Sequence, residues 1–303
     1  MVARHYTASA TADGYGDPAS NASQAYPEGV KQLPRSEVGE VGGGGLGAGD
    51  VVAGAFLADV VREAAARALE LAPEAVPLAK AGDTELASAL STADIELQEL
   101  IIARLRERYP ETPIVAEEST SHSVQRLPVD RAEYFVVDPI DGSYLFLRRS
   151  RHYGVQLALV RNDKYVAAAG ALPEYNGWLV APPWAANAFD AEEDGRRAFC
   201  SPDISRRSTE IIEACGYSVV AACGLLCMVA PTVWPNTIGV YPGRLSVRGK
   251  IGLALALDGG ARVFTNDGTL IKTATVSGEI HSLLISNGNV GDGLPLGALR
   301  LIT

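Results

Sequence analysis

Asp138 and Asp141 share one short segment, Asp138-Pro-Ile-Asp-Gly-Ser143. A hard divalent cation such as Mg2+ takes oxygen ligands, keeps several waters, and is commonly held by a few carboxylates together with substrate phosphate oxygens. Pro139 fixes the backbone between the two acids, and Gly142 permits a turn that points a backbone N–H at an anion. A helix beginning after Ser143 adds free N–H groups and a dipole at the same point. The segment therefore has the residue types to hold both a cation and a phosphate; its plain alternative is a tight turn. Upstream, Asp94 closes Ser91-Thr-Ala-Asp94, and the pair Glu117-Glu118 follows Ile114-Val-Ala116. Ser91 to Asp94 reads equally as a capping box for the next helix, and Glu118 as an outer carboxylate.

These acids need elements to position them. Val51, Val52, Phe56, Val60, Val61, Ala64, Ala65 and Leu69 recur at helical spacing, which predicts a first helix from about Asp50, ending before Pro73. A second helix is expected from about Thr92 to Tyr109, stopped by Pro110. Ile114–Ala116 and Phe135–Val137 read as short strands running into Glu117 and Asp138, so the acids cluster at strand ends. Tyr153–Val160 and Lys164–Ala171 read as an antiparallel pair joined at Asn162-Asp163. Pro182-Pro183 and the charged run Glu192–Arg197 suggest a surface connection. Beyond it, Ser208–Ala214, Ser218–Ala222 and Ile251–Leu257 resume regular structure, the last closed by Gly259-Gly260. Residues 1–48, rich in Gly, Ser, Ala and Asn, are expected to be a flexible leader. The division is then 49–180 for an N-terminal α+β half carrying the acids and 181–303 for a C-terminal α/β half, in alternating layers.

With 303 residues, 47% of them apolar, the chain can bury a full core. A formal charge of -10 argues against a generic nucleic-acid or anionic-membrane surface, because phosphate attraction needs concentrated Lys and Arg. No apolar run approaches the roughly 18 to 20 residues needed to cross a bilayer, so no membrane partner and a cytoplasmic location are expected. The 4 cysteines show no zinc-type pair of pairs and read as buried free thiols.

The three acidic motifs, in this order, resemble those of the inositol monophosphatase family, which includes fructose-1,6-bisphosphatases and 3'-phosphoadenosine-5'-phosphate phosphatases. Asp138-Pro-Ile-Asp-Gly-Ser143 resembles the family's Asp-Pro-Ile/Leu-Asp-Gly-Thr, Val115-Ala-Glu-Glu-Ser119 its Gly-Glu-Glu-Ser, and Ser91-Thr-Ala-Asp94 its Thr-x-x-Asp. The resemblance covers roughly residues 50 to 180. It implies an α+β fold layered α-β-α-β-α and a Mg2+-dependent phosphomonoesterase acting on a small phosphorylated polyol, sugar or nucleotide. By the same resemblance Glu117, Asp138, Asp141 and the Ile140 carbonyl are expected metal ligands. Asp94 and Ser143 are expected to activate the attacking water, and the Gly142 and Ser143 N–H groups to hold phosphate. A homodimer is the assembly it allows. One family feature is missing: an aspartate in a Trp-Asp pair that opens a helix about a dozen residues before Gly259-Gly260. Arg244-Leu-Ser-Val-Arg-Gly-Lys250 stands there, with no acid between Glu213 and Asp258. Two expectations follow: Lys250 or Arg248 enters the site as a fixed cation contacting the phosphate, or the chain is a catalytically weak or inactive member that binds a phosphorylated ligand or partner.

Overall fold

A computed structural model describes residues 47–118, 132–190 and 195–287. The leader expected at 1–48 therefore lies outside the described residues, apart from its last two positions. The N-terminal half begins with α1 (Ala48–Leu71) and α2 (Thr92–Arg108). Six strands follow: β1 (Ile114–Ala116), β2 (Glu133–Asp141), β3 (Gly154–Arg161), β4 (Lys164–Leu172), β5 (Gly177–Ala181) and β6 (Ala185–Ala186). They form one sheet in chain order, parallel between β1 and β2 and antiparallel elsewhere. The short helix α3 (Ser143–Leu147) interrupts β2 and β3. Asn162 and Asp163, with φ of 48° and 65°, close the β3–β4 hairpin. Positive φ at both central residues is what a two-residue turn requires if it is to match the strand twist.

The second half holds β7 (Arg197–Cys200), α4 (Arg206–Ala214), β8 (Ser218–Ala221), α5 (Gly224–Val233), β9 (Thr237–Arg244), α6 (Gly249–Asp258), β10 (Arg262–Thr265), β11 (Leu270–Ile271) and β12 (His281–Ser286). Its sheet runs β11-β10-β12-β9-β7-β8.

Period-two alternation in the strands sends neighbouring residues to opposite faces. Phe135, Val137, Leu157 and Leu159 pack under α1 and α2, against Leu57, Val61, Leu97 and Ile101. Val136, Ala158 and Val160 face the other way, in a cluster with Leu225 and Leu226 of α5, Ile251 and Leu255 of α6, and Val263 and Ile285 of the second sheet. Ile212 of α4 covers that sheet's far face with Ala198, Ile238 and Leu284. The order is thus α-β-α-β-α, as expected. The surface connection expected after Ala181 is briefer than its composition suggests, because β6 extends the first sheet and β7 opens the second. Helix α5 was not foreseen: squeezed between two sheets it is buried from Leu225 through Pro231, so it shows no polar stripe. Among the described residues no helix is long and apolar enough to cross a membrane.

Candidate active site

Ser91 caps α2 in a reciprocal capping box: its hydroxyl takes the Asp94 N–H at 3.4 Å, and its own N–H donates to Asp94 Oδ2 at 2.8 Å. The Ser91 hydroxyl also approaches Oδ2 at 2.6 Å. Asp94 Oδ1 is left for another partner, and 49 residues later Ser143 supplies it, its hydroxyl 2.5 Å away. The same hydroxyl lies 3.1 Å from the Ile140 carbonyl. The structural and chemical readings of Ser91–Asp94 both hold, one on each carboxylate oxygen. Burial pushes the Asp94 carboxyl up to about 6, against the Ser143 and Ser91 hydrogen bonds that hold it down.

Buried Gln98 on α2 fixes the end of β1, its amide donating to the Glu118 carbonyl and accepting the Glu118 N–H, both at 2.9 Å. This leaves Glu117 partly exposed and turns Glu118 into the protein. Lys80, which no motif marks, bridges both, at 3.0 Å from Glu117 and 2.5 Å from Glu118. Arg248, the residue capping α6, approaches Glu117 at 3.6 Å from the other half. Burial alone raises the Glu117 carboxyl, but Arg248 and Lys80 outweigh it and hold it below the usual range.

Asp138 lies buried at the end of β2, where its carboxyl accepts from Gln156 Nε2 at 3.2 Å and shares a side-chain hydrogen bond with Glu117. Burial, then the charges of Glu117 and Asp141, push its carboxyl well above the usual range. Asp141 serves a different purpose. It accepts the Leu225 N–H at the start of α5, 84 residues away, where an anion meets unpaired amides and the positive end of a helix. Burial raises its carboxyl too, while the Leu225 amide and the Cys223 thiol oppose the shift. Gly142 has φ of 91°, and a Cβ there would meet Cys223 Cβ at 2.7 Å, so only glycine permits this approach of the two halves.

The donor chemistry of Glu117, Asp138, Asp141 and the Ile140 carbonyl suits Mg2+. They lie close enough to act on one another's charge. Glu117 meets two side-chain cations and shares a side-chain hydrogen bond with Asp138, while Asp141 accepts from the amides of α5 and its charge acts on Asp138. Among the described residues no group of three or more His, Cys, Asp or Glu side chains is placed to hold a metal ion.

Lys250 also departs from expectation. Its amine turns away from the acids and donates to the carbonyls of Val276, at 2.6 Å, and Gly278. Of the two cations named in that segment, the structure brings Arg248 to the carboxylates and not Lys250. Arg148 stacks on Tyr144 and pairs with Glu85, while Arg149 donates to the Pro73 carbonyl, which suits a loop-anchoring role for both. Cys200, Cys223 and Cys227 are buried free thiols. Tyr241 of β9 faces the site from the second half: burial raises its hydroxyl, and the Asp141 and Asp138 charges add to that. Its only sequence signal was a place in an apolar run.

The model of the inositol monophosphatase family matches residues 53–223. The Nus factor SuhB of Salmonella typhimurium is 27% identical over 122 residues, 36% of this chain and 43% of that protein. The 3'(2'),5'-bisphosphate nucleotidase CysQ of Haemophilus influenzae is 29% identical over 77 residues, 25% of this chain and 28% of its own length. The chain thus spans less than half the length of these curated relatives. Among solved structures, extragenic suppressor protein suhB from Bartonella henselae superposes with a TM-score of 0.64 at 18% identity, over 82% of this chain and 98% of that one. The Thermotoga maritima IMPase gives 0.62 at 18% identity, over 84% and 96%. At such identities the superpositions speak to the fold.

Proposed function

Because the chain belongs to the inositol monophosphatase family, we propose that it is a phosphomonoesterase for a small phosphorylated polyol, sugar or nucleotide, with Asp94 and Ser143 preparing the attacking water. The observation that carries this reading is the buried hydrogen bond from Ser143 Oγ to Asp94 Oδ1. Ser143 donates its hydroxyl hydrogen bond to Asp94, which leaves the Ser143 lone pairs free to accept a hydrogen bond from water. As the water oxygen bonds to phosphorus and the ester oxygen leaves, that water proton passes to Ser143 and the serine proton to Asp94. The leaving oxygen takes a proton from solvent. A carboxyl raised to about 6 is ionised yet basic at neutral pH, which suits this work. Family members generally use Mg2+. Glu117, Asp138, Asp141 and the Ile140 carbonyl are the groups that would hold it, where it would supply positive charge against the phosphoryl oxygens.

The test is phosphate release from a panel of sugar, polyol and nucleotide monophosphates, with and without Mg2+. Turnover by the wild type is expected, with Ser143→Ala slower by about 10²- to 10⁴-fold. A second reading, an inactive binder of a phosphorylated ligand or partner, is favoured by Arg248 and Lys80 taking up Glu117. The matched relatives bear both kinds of name, a Nus factor and a nucleotidase. Tight binding of a panel member without release would decide for the binder.

A further inference from the structure

Two buried glutamines lie beside the acids, and the fold uses them differently. Gln98 on α2 engages the Glu118 backbone with both ends of its amide, which fixes the chain at the end of β1. Gln156 on β3 is fully buried and uses one end only. Its Nε2 donates to Asp138 Oδ2 at 3.2 Å, while its Oε1 has no hydrogen-bond partner among the described residues. Gln156 and Asp138 sit directly opposite each other on β3 and β2. On its other side Gln156 pairs with Gly170 of β4, which has no side chain to offer.

The rest of this sheet face is apolar. Val136, Ala158 and Val160 share it and pack with Leu225 and Leu255 of the middle layer. In such surroundings an apolar side chain of the same length needs no partner, whereas an amide with a bare oxygen is destabilising. Packing therefore gives no reason for glutamine at this position, and the bond to Asp138 is the one contact among the described residues that uses its polarity. A donor held beside a carboxylate fixes its rotation, and outer partners of this kind keep metal-binding groups in order.

We infer that Gln156 is a positioning residue for the divalent cation: its amide sets the rotation of the Asp138 carboxylate and thereby the affinity of the site for Mg2+. This rests on the phosphomonoester reading, in which Asp138 is one of the groups that would hold the ion, and it adds a residue that lies outside every acidic motif. Gln156 acts through Asp138 and is not itself a ligand.

The experiment is thermal unfolding of the full chain in EDTA and over a series of Mg2+ concentrations, followed by far-UV circular dichroism. The melting temperature in EDTA reports the fold, and its rise with Mg2+ reports affinity for the ion. The wild type is expected to melt higher as Mg2+ is added. Gln156→Met keeps the length of the side chain and removes the amide. It should melt in EDTA within about 4 °C of the wild type, yet need about 10- to 100-fold more Mg2+ for the same rise. Gln156→Leu, apolar but differently shaped, should behave alike. An Mg2+ response unchanged in both variants, or loss of the fold by both in EDTA, makes the amide a purely structural one and overturns the inference. Either result leaves the phosphatase reading standing, since Ser143→Ala tests that separately. A wild type that does not respond to Mg2+ but releases phosphate from a panel member likewise overturns the inference alone. No response to Mg2+ together with no release overturns both.

Discussion

The two oxygens of Asp94 face different partners, Oδ2 the Ser91 backbone and hydroxyl, Oδ1 the Ser143 hydroxyl. Burial raises this carboxyl from 3.8 to about 6, which means that ionisation costs more in the folded chain than in the unfolded one. Below about pH 4 both states carry the proton and nothing is lost. Between pH 4 and 6 the folded state keeps a proton that the unfolded state has released, so stability falls as pH rises. Above pH 6 the full cost of roughly 3 kcal/mol is present. Asp94→Asn keeps the shape and the Ser91 contact but cannot ionise. It should be more stable than the wild type in urea at pH 7.5, by about 1–3 kcal/mol, with the gap closing below pH 4 and with phosphate release abolished. A variant less stable at pH 7.5 would show that the Ser91 and Ser143 hydrogen bonds outweigh the buried charge.

Helix α6 enters the site by its first residues and is moored by its second, because the Lys250 amine ties the first turn to the carbonyls of Val276 and Gly278. Burial lowers the affinity of this amine for its proton, and nearby Asp163 partly restores it. Lys250→Met removes the donor and leaves two carbonyls without it. Stability should drop by about 1–3 kcal/mol while phosphate affinity stays within about twofold of the wild type. A large loss of phosphate affinity with unchanged stability would return Lys250 to the substrate-binding role its position in the sequence suggested.

At the scale of the whole molecule, the middle layer joins the two halves. Leu225 of α5 lies over two bare glycines of the first sheet: a Cβ on Gly154 or Gly170 would come within 2.8 or 3.0 Å of its methyl. It is fully buried in the cluster that continues into the second sheet. Leu225→Ala should therefore cost about 2–5 kcal/mol and lower the stability of both sheets together. Tryptophan fluorescence and far-UV circular dichroism should follow one shared transition. Two separated transitions would mean that 49–180 and 181–303 unfold as independent units.

The first-half helices, the β3–β4 hairpin and the strands that end in acids were legible because periodicity, proline stops and turn residues are local signals, written within a few residues of the structure they cause. The positions of Asp94, Glu117, Asp138 and Asp141 at element ends follow from the same signals. Their partners do not. Lys80 lies 37 residues before Glu117, and the Leu225 amide 84 residues after Asp141. A carboxylate motif says which atoms can hold a cation, but which lysine, arginine and helix end also reach them is settled when two sheets close on α5 and α6. That closure brings a guanidinium to Glu117 and sends the nearby Lys250 elsewhere, a choice made by packing distance and absent from residue order.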